Sequence, residues 1–88
     1  MKILFEESFE KDLLKINNRR IKRKLIQIIE EIKQAKNQQK IRNLKKLQGY
    51  KTYYRIRIGD YRIGIEIVNN KVIFTRILNR KDIYKYFP

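Results

Sequence analysis

Neither histidine nor cysteine occurs among the 88 residues. The commonest general base, the commonest transition-metal ligand and every thiolate reaction are therefore missing at once. Any chemistry must run on Lys, Arg, Tyr, Asp, Glu, Ser or Thr. Arginine is the informative type. Arg55, Arg57 and Arg62 flank the dipeptide Gly59-Asp60, which reads as a two-residue hairpin turn with glycine in the first central position, as a type II′ turn requires. That turn sets the register: Ile58 faces Tyr61, Arg57 faces Arg62, Ile56 faces Ile63 and Arg55 faces Gly64. Alternation puts Tyr54, Ile56, Ile58, Ile63 and Ile65 on a core face and the three arginines on the other.

Arg57 opposite Arg62 is a like-charge pair, destabilising unless something compensates it. Glu66, opposite Tyr53, is placed to neutralise part of it. Gly64 opposite Arg55 leaves a side-chain-sized gap on the arginine face. A positive concavity on a rigid sheet suits a phosphodiester backbone, whose oxygens a guanidinium fork binds two at a time. The plainer alternative is a solvated, charged sheet face. Lys51 and Arg80, which fall near the strand ends, weigh against it.

The whole chain is basic, with 23 Lys and Arg against 9 Asp and Glu and a formal charge of +14. A field this dense on a small body attracts nucleic acid, acidic proteins or anionic membrane. With 42% hydrophobic residues, the chain can still fill a core, which argues against disorder. The length suits one domain spanning 1–88. The apolar run Ile3-Leu4-Phe5 is too short for a signal peptide or a membrane span, so a cytoplasmic location is expected. No metal site and no cofactor are expected.

The elements that carry the arginines follow from periodicity. Residues 2–5 read as a strand. Ser8 is a candidate N-cap for a first helix bearing Phe9, Leu13, Leu14 and Ile16. Asn17-Asn18 ends it and caps a second helix over about 19–36, whose Ile21, Leu25, Ile28, Ile29 and Ile32 form one apolar stripe. Residues 37–43 read as a solvated connection. Strands follow around Gly59-Asp60 and around the turn Asn69-Asn70, the last covering 72–78. Residues 79–87 then leave the sheet, with a short helical turn expected there. The expected fold is α+β, a two-layer β-α-α-β-β-β domain with a helical hairpin packed on a small, mainly antiparallel sheet and a short C-terminal tail. One residue fits badly: Arg76 shares a core-facing parity with Phe74 and Leu78. A longer loop, a bulge or a place at the sheet rim would each relieve it.

Three segments, Leu47-Gln48-Gly49-Tyr50, the hairpin from Tyr54 to Ile63, and Asn79-Arg80-Lys81-Asp82-Ile83-Tyr84, together resemble the RelE/ParE superfamily of bacterial and archaeal toxins. The opening strand and helical hairpin match as well, so the resemblance covers essentially the whole chain. It implies a ribosome-dependent endoribonuclease that enters the A site, cuts the mRNA there, and is held inactive by a cognate acidic antitoxin. Carried over position by position, the family's catalytic positions fall on Arg55, Arg57, Arg62, Arg80 and Tyr84. Arg57, Arg62, Arg80 and Tyr84 are expected to be catalytic, and Lys51, Arg55 and Lys81 to bind RNA. The partners implied are mRNA and ribosomal RNA, with no membrane and no small-molecule cofactor. Two features depart from the pattern. Arg55 and Arg57 stand where lysine is frequent, and an arginine does not give up its proton. Asn79 stands where a histidine commonly precedes the tail arginine.

Cleavage by the RNA's own 2′-hydroxyl needs a base, a stabiliser of the phosphorane and an acid for the leaving oxygen. Arg57, Arg62 and Arg80 suit the second role. Guanidiniums stabilise a phenolate, which makes Tyr84 the candidate base, or else a stacking platform. Lys51 and Lys81 are fallback proton donors. Two rivals stand beside this reading: a ParE-like inhibitor of DNA gyrase, and a binding module without catalysis. Membrane-surface binding by the second helix is weaker, because the core needs its stripe.

Overall fold

In a computed structural model describing residues 1–88, the apolar stripe of the second helix decides the architecture. Strand β1 (Lys2–Phe5) leads into helix α1 (Glu7–Leu14) and helix α2 (Arg19–Gln34). Asn18 caps α2, its side-chain oxygen accepting the Ile21 N–H at 3.2 Å. Such a cap contributes about 1 kcal/mol. Ile21, Leu25 and Ile32 are buried against Ile56, Ile58, Ile63, Ile65, Ile67, Val72, Phe74 and Ile77 of the sheet. Truncating one of these isoleucines to alanine costs about 2–5 kcal/mol, so this layer contact holds the scaffold. The Ser8 cap is not formed: α1 begins at Glu7, and the Ser8 hydroxyl donates instead to the Thr75 carbonyl at 2.6 Å.

After a 3-10 turn (Gln38–Lys40) come β2 (Leu44–Lys46), β3 (Tyr53–Ile58), β4 (Tyr61–Val68), β5 (Lys71–Asn79) and the short helix α3 (Ile83–Tyr86). The sheet order is β1-β5-β4-β3-β2, with β1 parallel to β5 and the other pairs antiparallel. The expected α+β fold is therefore present, with one strand more than expected, because residues 44–46 pair with β3.

The Asn69-Asn70 turn joins β4 and β5 directly, Val68 facing Lys71. Both asparagines have positive φ, 50° and 61°, as a type I′ turn demands. Arg76 is then placed by a bulge. Phe74 faces Ile65 but Arg76 faces Gly64, so Thr75 is the extra residue. The bulge keeps Phe74 and Ile77 in the core and moves Arg76 to the opposite face.

Strand β1 ends at Phe5 and leaves the second half of β5 unpaired. Helix α1 lies along that edge. Asp12, 4% exposed, accepts the Ile77 N–H at 3.1 Å and two bonds from the Arg76 guanidinium at 2.7 and 2.9 Å. Asp12 holds the Arg76 charge, raising its pKa above the ordinary guanidinium value through the hydrogen bond, against the opposing effect of burial.

After Asn79 the tail leaves the strands and forms the short helix α3, as expected. It folds back across the arginine face of the sheet and buries Ile83 and Phe87. The Phe87 ring lies where a Cβ on Gly64 would be, 2.6 Å from that position. It also meets Tyr53 edge-on, with ring centroids 5.5 Å apart. The gap opposite Arg55 is thus filled by the chain itself and is not open to a phosphate.

Candidate functional site

The hairpin carries the site as its register requires. Arg57 faces Arg62, Arg55 faces Gly64 and Ile58 faces Tyr61. Gly59 has φ +56°, and a Cβ there would stand 3.0 Å from the Ile21 side chain of α2. The turn is therefore pinned between its own backbone demand and the helix layer. The Asp60 carbonyl accepts the Arg80 N–H at 2.8 Å. This bond joins the start of the tail to the hairpin and brings Arg80 to the arginine pair.

Arg62 is the centre of the group. One terminal nitrogen donates to the Gly59 carbonyl at 2.9 Å and the Tyr61 carbonyl at 2.8 Å, while its buried Nε has no partner. Its guanidinium pKa is pushed below the ordinary value, first by desolvation and then by the charges of Arg55, Arg57 and Arg80, with Tyr84 opposing. No carboxylate neutralises this group. The four ion pairs are Lys11–Glu7, Lys33–Glu30, Arg42–Glu31 and Arg76–Asp12. Glu66 does not supply the expected compensation; it pairs across from Tyr53 and accepts from the Thr52 hydroxyl at 3.0 Å.

Tyr84 stands over this cluster. It is 63% exposed, and its ring centroid lies 5.4 Å from the Arg55 guanidinium carbon, a cation–π distance. Its place is set by the flanking anchors Ile83 and Phe87, both buried. Asn79 is structural. Its side-chain oxygen accepts the Lys81 N–H at 3.0 Å, closing the turn that redirects the chain.

The structure brings together Arg55, Arg57, Arg62, Arg80 and Tyr84. Lys81 follows Arg80 on the exposed surface. Lys51 is not part of the group. It lies in the loop before the Tyr53 end of β3, while Arg57 stands near the other end of that strand. A different lysine takes that place. Lys45 of β2 faces Arg55, and a cleft of about 390 Å³ is lined by Asn43, Leu44, Lys45, Arg55, Arg57 and Arg62. The sequence hides Lys45 because β2 has only three residues, too few for alternation to register. It hides Phe87 as well, although Ile83 and Phe87 stand four apart, the spacing of one helical face.

An arrangement of four guanidiniums without a carboxylate binds a phosphodiester and stabilises added negative charge on it. The phenol beside them offers a proton-transfer group or a stacking surface. No three His, Cys, Asp or Glu side chains converge to hold a metal ion, and no helix is long and apolar enough to cross a membrane.

Comparison with known proteins places these features in a family. Residues 3–84 match the family model described as the ParE toxin of type II toxin–antitoxin system, parDE. The chain is 45% identical to "Toxin RelE3" of Methanocaldococcus jannaschii over 89 residues, covering all of both chains. Among solved structures, it resembles a chain of the RelB-RelE antitoxin–toxin complex from Methanococcus jannaschii, with 44% identity, a TM-score of 0.83, and coverage of 97% and 99% of the two chains. A chain of the RelBE2 toxin–antitoxin complex from Mycobacterium tuberculosis shares the fold at 22% identity and TM-score 0.62, with coverage of 90% and 96%.

Proposed function

We propose a function from one premise: this chain belongs to the RelE/ParE superfamily of toxins, and is RelE-like. It acts as the toxin of a toxin–antitoxin pair, a metal-independent endoribonuclease that cuts mRNA in the ribosomal A site and so stops translation. Its natural inhibitor is a cognate acidic antitoxin that neutralises the basic face. The observation that carries this reading is the uncompensated cluster of Arg55, Arg57, Arg62 and Arg80 beneath Tyr84.

Each residue has its part in the chemistry. Arg62, Arg57 and Arg80 bind the scissile phosphate and stabilise the phosphorane. Arg62, with an unused buried Nε and three like-charged neighbours, gains most when the anion arrives. Tyr84 takes the 2′-hydroxyl proton. The 2′-oxygen bonds to phosphorus, the bond from phosphorus to the 5′-oxygen breaks, and a 2′,3′-cyclic phosphate forms. The departing 5′-oxygen takes a proton from an ammonium, for which Lys81 beside Arg80 is the candidate. Lys51, in the loop beyond the Tyr53 end of β3, contacts RNA instead. Arg55 holds Tyr84 and a neighbouring phosphate.

A primer-extension map of a defined message in a purified translation system tests this. Discrete cuts at the A-site codon, absent without ribosomes, are expected. An uncut message at saturating protein refutes it. The match to the ParE model favours one other target, DNA gyrase, and inhibition of supercoiling by a protein that leaves messages intact would establish that reading.

A further inference from the structure

The arginine cleft does not end at Arg55. A second concavity of about 370 Å³, lined by Lys45, Lys46, Leu47, Gln48, Arg55 and Tyr84, adjoins it through Lys45 and Arg55. A third, of about 380 Å³, shares Lys46, Leu47 and Gln48 and runs on to Tyr50 and Lys51. No carboxylate lines any of the three. Lys45, Lys46 and Lys51 are free of ion pairs. The larger concavity on the helix side of the hairpin, by contrast, includes Glu31. At the far end Tyr50 is 47% exposed and is braced edge-on by Tyr53, with centroids 5.6 Å apart. Tyr53 is braced in turn by Phe87. A rigid aromatic at the end of a cationic trough is the construction that holds single-stranded nucleic acid, with cations along the backbone and a ring for a base.

We infer that the β2 edge of the sheet is a second RNA subsite, a trench in which Lys46 contacts phosphate and Tyr50 stacks a base of the strand whose scissile phosphate lies at Arg62. The inference rests on the RNA reading of the arginine cluster. From Arg57 to Lys51 the trench spans at most about 20 Å, the limit for six residues at strand spacing. That holds up to about six nucleotides at a stacked rise of about 3.4 Å. The subsite adds affinity and register along the message, while the chemistry stays at the arginines.

The test separates the trench from the cutting site. Affinity of the full-length protein is measured by fluorescence anisotropy for a trinucleotide, a hexanucleotide and a nonanucleotide of single-stranded RNA, with no ribosome and no cleavage required. Lys46→Gln combined with Tyr50→Ala should leave trinucleotide binding unchanged and weaken the hexanucleotide about ten-fold. The slope of log affinity against log salt should fall by about 0.7 for the lost phosphate contact. Lys22→Gln on the exposed face of α2, a charge-matched control, should leave the length dependence unchanged. Loss at all lengths alike, or at none, overturns the trench. On programmed ribosomes the same pair of changes should slow cutting of a long message and spare one ending at the A-site codon. Equal slowing of both would overturn the assignment to message and identify ribosomal RNA as the occupant. Failure of wild-type cleavage would refute the nuclease reading while leaving the length series to decide the trench.

Discussion

Arg62 and Arg76 stand on neighbouring strands of the same sheet face, and their surroundings are opposites. Arg76 faces Gly64 across the β4–β5 ladder and Arg62 faces Leu78. Arg76 has a buried carboxylate in bidentate contact, and that carboxylate also takes the Ile77 N–H. Arg62 has three guanidiniums around it, two backbone carbonyls and an orphaned Nε. One pKa is raised and the other lowered for these reasons. The contrast teaches how to sort arginines on a basic protein. Arg76 is satisfied by the fold and holds α1 to the edge of β5. Arg62 is left unsatisfied by the fold, and we propose that an anion from outside completes it. Perturbed groups without an internal partner are where function concentrates.

The contrast can be broken at either end. The largest effect belongs to Asp12→Ala. It leaves Arg76 without its carboxylate and the Ile77 N–H without an acceptor, so a loss of about 3–5 kcal/mol is expected. For a domain this size each kcal/mol moves the melting temperature about 4–8 °C, so a thermal melt decides it. A melting temperature within a few degrees of wild type would make Arg76 as dispensable to the fold as Arg62. Next comes Arg62→Gln, expected to lower the cleavage rate at least about 100-fold while its urea midpoint stays near that of the parent.

Gly64→Ala probes the link between scaffold and site. The added methyl collides with Phe87 and should destabilise by about 1–3 kcal/mol. It should also lift the tail, so cleavage falls further than Tyr84→Phe alone would cause in the intact tail. Loss of magnetisation transfer between the Tyr53 and Phe87 rings would report the displacement. The smallest effect sharpens the contrast. Arg57→Gln removes the exposed member of a like-charge cross-strand pair and should raise stability by about 0.5 kcal/mol, with slower cutting. A drop in stability would mean that the pair is compensated after all.

Where local rules suffice, the residues can be read directly. Gly59-Asp60 and Asn69-Asn70 admit two-residue turns, and the β3–β4 pairs and the placement of Arg55, Arg57 and Arg62 on one face follow from the first of them. Arg76 cannot be placed that way. Its side of the sheet depends on the Thr75 bulge, next to the backbone N–H that Asp12 accepts from 65 residues away. Phe87 on Gly64 is likewise a long-range contact, with no periodic trace beyond Ile83 and Phe87. Position in the sequence groups Lys51 with the arginines. The fold puts it at the other end of β3, and Lys45, in a strand of three residues, stands beside Arg55 in its stead.

The central claim is that Arg62 serves an outside anion while Arg76 serves the fold. Its most direct test pairs two variants, Arg62→Gln and Arg76→Gln, each carried through a urea melt and an A-site cleavage map at a temperature where both are folded. Arg62→Gln should keep the parental melt and lose the cuts, and Arg76→Gln should melt early and still cut. A folded Arg62→Gln protein that cuts messages at the parental rate would contradict the claim.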